Sequence, residues 1–212
     1  MLRFPKLDRR TFSALWPACV GALAVLYSSI GDGAWTRRSA IGWMMGAWGA
    51  RLALQALYTR ASGASDLSSF PFPFPFPLRL PLRLRTSYFV LLLLSLFFSL
   101  PALIAARNSD PSLASIEIAA CVLWVIAFTG ETTADRQHLR FVSSAGNAGL
   151  PCRTGLWRIT PRAHAVCEVL LWTSFALFAS ASPWGGLAFA CPAVILVHLF
   201  ATRLGTDPDS VG

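Results

Sequence analysis

The apolar positions of this chain fall in long uninterrupted runs, without the short-period alternation of a half-buried strand or the stripe of a surface helix. The runs extend from Thr11 to Ile30, Ser39 to Tyr58, Thr86 to Ala106, Leu113 to Gly130, Ala163 to Ala181 and Gly185 to Thr202. A helix needs about 20 such residues to cross roughly 30 Å of hydrocarbon, and only a helix or a closed barrel satisfies its backbone there. The pattern predicts an all-α, polytopic membrane helical bundle of about six transmembrane helices, forming one domain over residues 1–212. Ser182, Pro183, Trp184 and Gly185 predict a tight turn between the last two.

Composition agrees, with 55% hydrophobic and only 13% charged residues, about half the charge of an ordinary soluble domain. The net charge of +8 does not point to nucleic acid, because the basic residues sort by loop instead of forming one soluble patch. Arg3, Lys6, Arg9 and Arg10 precede the first run, and Arg60, Arg79, Arg83 and Arg85 follow the second. Arg136, Arg140, Arg153, Arg158 and Arg162 lie between the fourth and fifth, and Arg203 follows the sixth. The alternate loops hold only Arg37, Arg38 and Arg107. By the positive-inside rule both termini are cytoplasmic, in a bacterial inner membrane or one of endoplasmic-reticulum type. The first run is too long for a signal peptide and reads as an uncleaved anchor.

Two loops stand out. Residues 70–85 read FPFPFPFPLRLPLRLR; five prolines exclude helix and sheet ladder, so an extended low-complexity cytoplasmic loop is expected. Residues 131–162 mix acids, bases, amides and aromatics, and this is where chemistry is expected. The beginning of that segment, ETTADRQHLRFV, has helical character and extends the fourth helix into the cytoplasm.

Ionisable residues within apolar runs are costly and mark candidate sites. Arg51 and Glu168 both enter from the cytoplasmic side and could share a polar cavity, or Arg51 could snorkel to the interface. Glu117 sits near the opposite face, where interfacial water is its expected partner. The cysteines, Cys19, Cys121, Cys152, Cys167 and Cys191, show no paired spacing. Cys152, His164 and Cys167 lack a C-x-x-C pair, so no metal is expected.

The pieces AARNSDPSLASIE, GETTADRQHLRF, CRTGLWR and LLWTSFALFASASPWGGLAFACPA resemble domain of unknown function family 1295, a membrane family allied to the steroid 5-alpha-reductases. GAWTRRSAIGWMMGAWGARLAL is similar to that family's second helix. The resemblance implies a helical membrane enzyme that encloses NADPH in its cytoplasmic half. Such an enzyme reduces a carbon–carbon double bond in an apolar, lipid or sterol-like small molecule. Carried over by position, Glu131, Asp135, Gln137, Arg140, Arg153 and Arg158 are the implied cofactor-binding residues, and Glu168 and His164 the implied catalytic ones. Arginine suits phosphate because its planar fork makes bidentate, charge-assisted bonds. No Gly-rich dinucleotide fingerprint occurs.

The family reads G-L-W-R-Y-S-R-H-P-N-Y-F-x-E where this chain reads GLWRITPRAHAVCE, residues 155–168. His164 stands in place of the amide and Ala165 in place of the second phenol, and the chain ends at Gly212 without the family's basic, tyrosine-containing tail. Two alternatives therefore stand beside the reductase: a catalytically inactive protein that keeps the fold, and a relative of the isoprenylcysteine carboxyl methyltransferases, whose helical core is related.

Overall fold

The computed structural model describes residues 9–61, 88–147 and 150–204. The Phe-Pro loop at 70–85 and the chain's final residues, 205–212, lie outside them. Among the described residues the chain is helical, without strands: α1 (Arg9–Ile30), α2 (Trp35–Ala61), α3 (Tyr88–Phe98), α4 (Leu100–Ala105), α5 (Ser115–Val142), α6 (Leu156–Ile159), α7 (Ala163–Ser180) and α8 (Ala190–Leu204). Three segments are long and apolar enough to cross a membrane: Thr11–Ile30, Ser115–Val142 and Ala163–Ser180. Two shorter apolar stretches, Tyr88–Phe98 and Gly185–Ala201, join them. The protein is a helical membrane protein.

The third apolar run is not one helix. Pro101 has no N–H to give the Phe97 carbonyl four residues back, and the chain turns at Ser99 between α3 and α4. The freed Phe97 carbonyl accepts instead from the Cys191 thiol of α8, 3.6 Å away. The fourth run behaves as its sequence predicts, since α5 continues to Val142, twelve residues beyond Gly130. At the turn before α8, Trp184 takes a left-handed conformation with φ 64°.

α1 and α2 pack antiparallel at very short range because glycine faces glycine. A Cβ on Gly49 would lie 2.4 Å from the Pro17 carbonyl oxygen and 3.0 Å from the Gly21 Cα. α5 pairs with α7, also antiparallel, and the two pairs meet over an aromatic core. There Trp16 (α1), Trp48 (α2), Phe98 (α3) and Trp172 (α7) are all buried. Their rings meet edge to face, with centroids 5.8 Å apart for Trp16–Trp48, 5.1 Å for Trp48–Trp172 and 4.7 Å for Phe98–Trp172. In hydrocarbon, where burial of apolar area drives little, such packing and polar ties between helices hold a bundle together.

The end of the bundle that carries the α1–α2 connection is tied by polar bonds. Glu117 turns inward and is fully buried, contrary to its expected contact with interfacial water. The Arg37 guanidinium grips it with Nε and Nη2, the latter at 2.9 Å, and also donates to the Asp110 and Ser112 carbonyls. Asn108 donates to the Ala181 carbonyl at 3.1 Å, which ties in the start of the last hairpin. The exposed Asp110 carboxylate accepts the Ser112 backbone N–H (3.0 Å) and hydroxyl (2.8 Å). Those bonds hold its ionisation below the ordinary carboxylate range.

Candidate functional site

At the opposite end, helical periodicity brings charged residues from three helices together. On α5, Glu131, Asp135 and His138 recur at spacings of four and three and so share one face. On α7, His164, Glu168 and Trp172 recur every four. α2 contributes Trp48 and Arg51, one turn apart. Glu131, Asp135, His164 and Glu168 are all buried.

Arg51 is the hub of the ionic network. Its Nη1 donates to Asp135 Oδ2 at 2.8 Å and its Nη2 meets Glu131 Oε2. The guanidinium carbon lies 5.3 Å from the centroid of the Phe128 ring, a cation–π contact. His164 Nδ1 sits 2.8 Å from Asp135 Oδ1 and 3.6 Å from Glu131 Oε1. Glu168 takes the indole N–H groups of Trp172 at 2.8 Å and Trp48 at 3.4 Å. Arg51 and Glu168 thus occupy one buried region, as their depths suggest, but the acids against Arg51 are Glu131 and Asp135.

One ligand atom from each of Glu131, Asp135 and His164 lies within 4.8 Å of the others, a spacing that could surround a metal ion. The Arg51 guanidinium, however, already holds both carboxylates, and the His164–Asp135 separation is that of a hydrogen bond. The donor set therefore reads as an ion-pair network.

Beside this network, a cavity of about 640 Å³ is lined by His138, Cys152, Arg153, Trp157 and Arg158, together with Pro151 and Pro161. Its size falls within the roughly 300–1,000 Å³ typical of small-molecule sites. The rings of His138 and Trp157 are tilted by 35° to one another, with centroids 4.9 Å apart. Arg153 and Arg158 are exposed toward solvent.

The cavity wall is clamped to α5. Gln137 Oε1 accepts the Leu156 N–H at 2.8 Å, and the Trp157 indole donates to the Ala134 carbonyl at 2.9 Å. Gly155 permits this: its φ is +56°, and a Cβ there would lie 2.4 Å from the Gln137 amide nitrogen.

Of the residues singled out by sequence, the structure thus gathers Glu131, Asp135, His164 and Glu168 into the buried network. It sets Arg153 and Arg158 on the cavity. Gln137 serves the turn, and Arg140 is exposed and does not line the cavity. Sequence reasoning passed over His138, Trp157, Trp48 and Trp172. The signal for the first was available, in the four-and-three spacing with Glu131 and Asp135; an indole that holds a carboxylate across two helices leaves no such trace.

No curated protein and no solved structure matches the chain. One family model does, described as protein of unknown function (DUF1295), and it covers residues 6–208. With nearly the whole chain matched, the protein belongs to that family.

Proposed function

We propose that this protein is a membrane-embedded oxidoreductase that uses NADPH to reduce a carbon–carbon double bond in a lipid or sterol-like molecule. In the topology we propose, α2 and the two shorter apolar stretches also cross, making six spans, and the cavity opens to the cytoplasm. The observation that carries the reading is the juxtaposition of an arginine-lined cavity with a buried ionic network at one end of the helical bundle.

The donor set fits the cofactor's chemistry. Arg153 and Arg158 offer planar, permanently charged forks to phosphate groups, and the His138–Trp157 ring pair offers a face to a flat heterocycle. The reduced nicotinamide supplies hydride when bound. Glu168, fixed by two indoles, orients the reacting end, and His164 stands beside it on α7. Arg51 and His164 already engage Glu131 and Asp135, so these acids shape the site's field without themselves holding the cofactor. That engagement, with the altered residues at 159–165, also favours a second reading, a descendant that keeps the fold without turnover.

The test uses cofactor deuterated at its transferring position, incubated with the purified protein and lipids extracted from its own membrane. The reductase reading expects a lipid product that gains one deuterium and one solvent hydrogen, and none from a Glu168→Gln variant. Bound cofactor that gives no deuterium to any lipid supports the second reading.

A further inference from the structure

Five ionisable side chains meet where α2, α5 and α7 converge, and their charges do not cancel in the ordinary ionisation state. Relative exposure is 0% for Glu131, 3% for Asp135, 2% for His164 and 3% for Glu168. Arg51 is positive throughout, and His164 as an imidazolium adds a second cation, against three carboxyl groups. An uncompensated charge in such surroundings is strongly disfavoured, and a buried group sheds it by taking a proton. One of the three carboxyl groups is therefore an acid.

The hydrogen bonds identify which. Asp135 accepts from Arg51 and stands at 2.8 Å from His164, and Glu168 accepts two indole N–H groups, so both have hydrogen-bond donors at their oxygens. Glu131 has ionic contacts alone, with Arg51 at Oε2 and with His164 at Oε1, and its carboxyl oxygens accept no indole or backbone N–H. Its Oε1 is buried without a hydrogen bond, and His164 Nδ1 is 3.6 Å away, beyond hydrogen-bond reach. A metal ion would also restore balance, but Arg51 lies against both carboxylates where the ion would have to sit.

We infer that Glu131 is a carboxylic acid in the resting protein and that, with His164, it forms a buried proton-donating site next to the cavity. On discharge the His164 imidazolium first gives up a proton; the Glu131 O–H bond then breaks to reprotonate the imidazole, 3.6 Å away at rest, and the electron pair stays on a carboxylate that Arg51 stabilises. The proton is replaced from cavity water through His138, which lies on the same face of α5 and lines the cavity. The other titratable groups facing the cluster are His138 itself, bordering the cavity, and Cys167 on α7. Under the reductase reading, the acceptor is the substrate carbon left with an electron pair once its neighbour takes up hydride. That acceptor rests on the proposed function; the resident proton does not.

The chain has three glutamates, Glu117, Glu131 and Glu168, which makes the test direct. Infrared spectra of the full-length protein in lipid at neutral pH are compared with and without carbon-13 at the glutamate carboxyl, in light and heavy water. The expected result is one carboxylic-acid carbonyl band that moves with both substitutions, disappears in Glu131→Gln and persists in Glu168→Gln. The labelled wild-type spectrum shows whether any glutamate is an acid even where a variant fails to fold, and persistence of the band in Glu168→Gln excludes that residue. No acid band, a band insensitive to glutamate labelling, a band that survives Glu131→Gln, or one tightly held metal ion per chain would each overturn the inference. An acid band in a protein that binds no cofactor would remove the reductase reading and leave the proton site standing.

Discussion

Replacing Arg37 by Met tests the energetics of the bundle away from its chemistry. The substitution keeps most of the apolar stem and deletes a guanidinium that is 2% exposed and grips a fully buried Glu117. It also strips donors from the Asp110 and Ser112 carbonyls, but Asp110 and Ser112 are exposed and water replaces those bonds. The dominant cost is the stranded carboxylate, and breaking a buried pair from one side costs about 3–5 kcal/mol. For a chain of this size each kcal/mol shifts the midpoint by about 2–4 °C, so thermal unfolding in detergent is expected to fall by roughly 6–20 °C. The companion double variant, Arg37→Met with Glu117→Met, removes both charges and is expected to recover most of that loss. A loss below about 1 kcal/mol for Arg37→Met, or a double variant no more stable than the single one, would refute the reasoning.

Gly49→Ala forces a methyl against the Pro17 carbonyl and the Gly21 backbone, so stability measured by the same melt is expected to drop by about 1–3 kcal/mol. Cys152 lines the cavity, and millimolar NADPH is expected to slow its alkylation severalfold, read by mass spectrometry, while Cys191 in the core stays unmodified in either case. Gln137→Ala releases the α5–α6 clamp and is expected to weaken cofactor binding by about tenfold, roughly 1.4 kcal/mol, without lowering the melting temperature by more than a few degrees. His164→Asn, which restores the family's amide, is expected to leave the fold intact and to move the pH dependence of cofactor oxidation; an unchanged profile would remove His164 from the proton path.

The membrane class and the helical runs were legible because bilayer thickness sets a length that composition alone reveals. The extension of α5 past Gly130 was also legible, since ETTADRQHLRFV keeps helical spacing without an apolar run. The break at Ser99 was visible in principle, through Pro101, but hydropathy averages across one proline. Rotation about a helix axis was harder to read. Arg51 and Glu168 were rightly seen to enter from one side, yet Arg51 faces Glu131 and Asp135, since depth along a helix does not specify azimuth. Glu117 shows the same gap: its position near a helix end suggested water, and only the fold reveals that Arg37, 80 residues away in sequence, covers it. In the 131–162 segment Arg153 stands out in the sequence by its motif, whereas Arg140 and Arg158 look equivalent. The Gly155 turn packs the segment that carries Arg153 and Arg158 against α5, and both line the cavity, while Arg140 is exposed on α5 outside it.

The most direct test of the account is a calorimetric titration of the purified, folded protein with NADPH, alongside an Arg153→Ala, Arg158→Ala double variant and an Arg140→Ala control. The account predicts saturable micromolar binding, about −8 kcal/mol, weakened at least tenfold in the double variant and unchanged in Arg140→Ala. No saturation by wild type up to millimolar cofactor, or equal binding by the double variant, would contradict it.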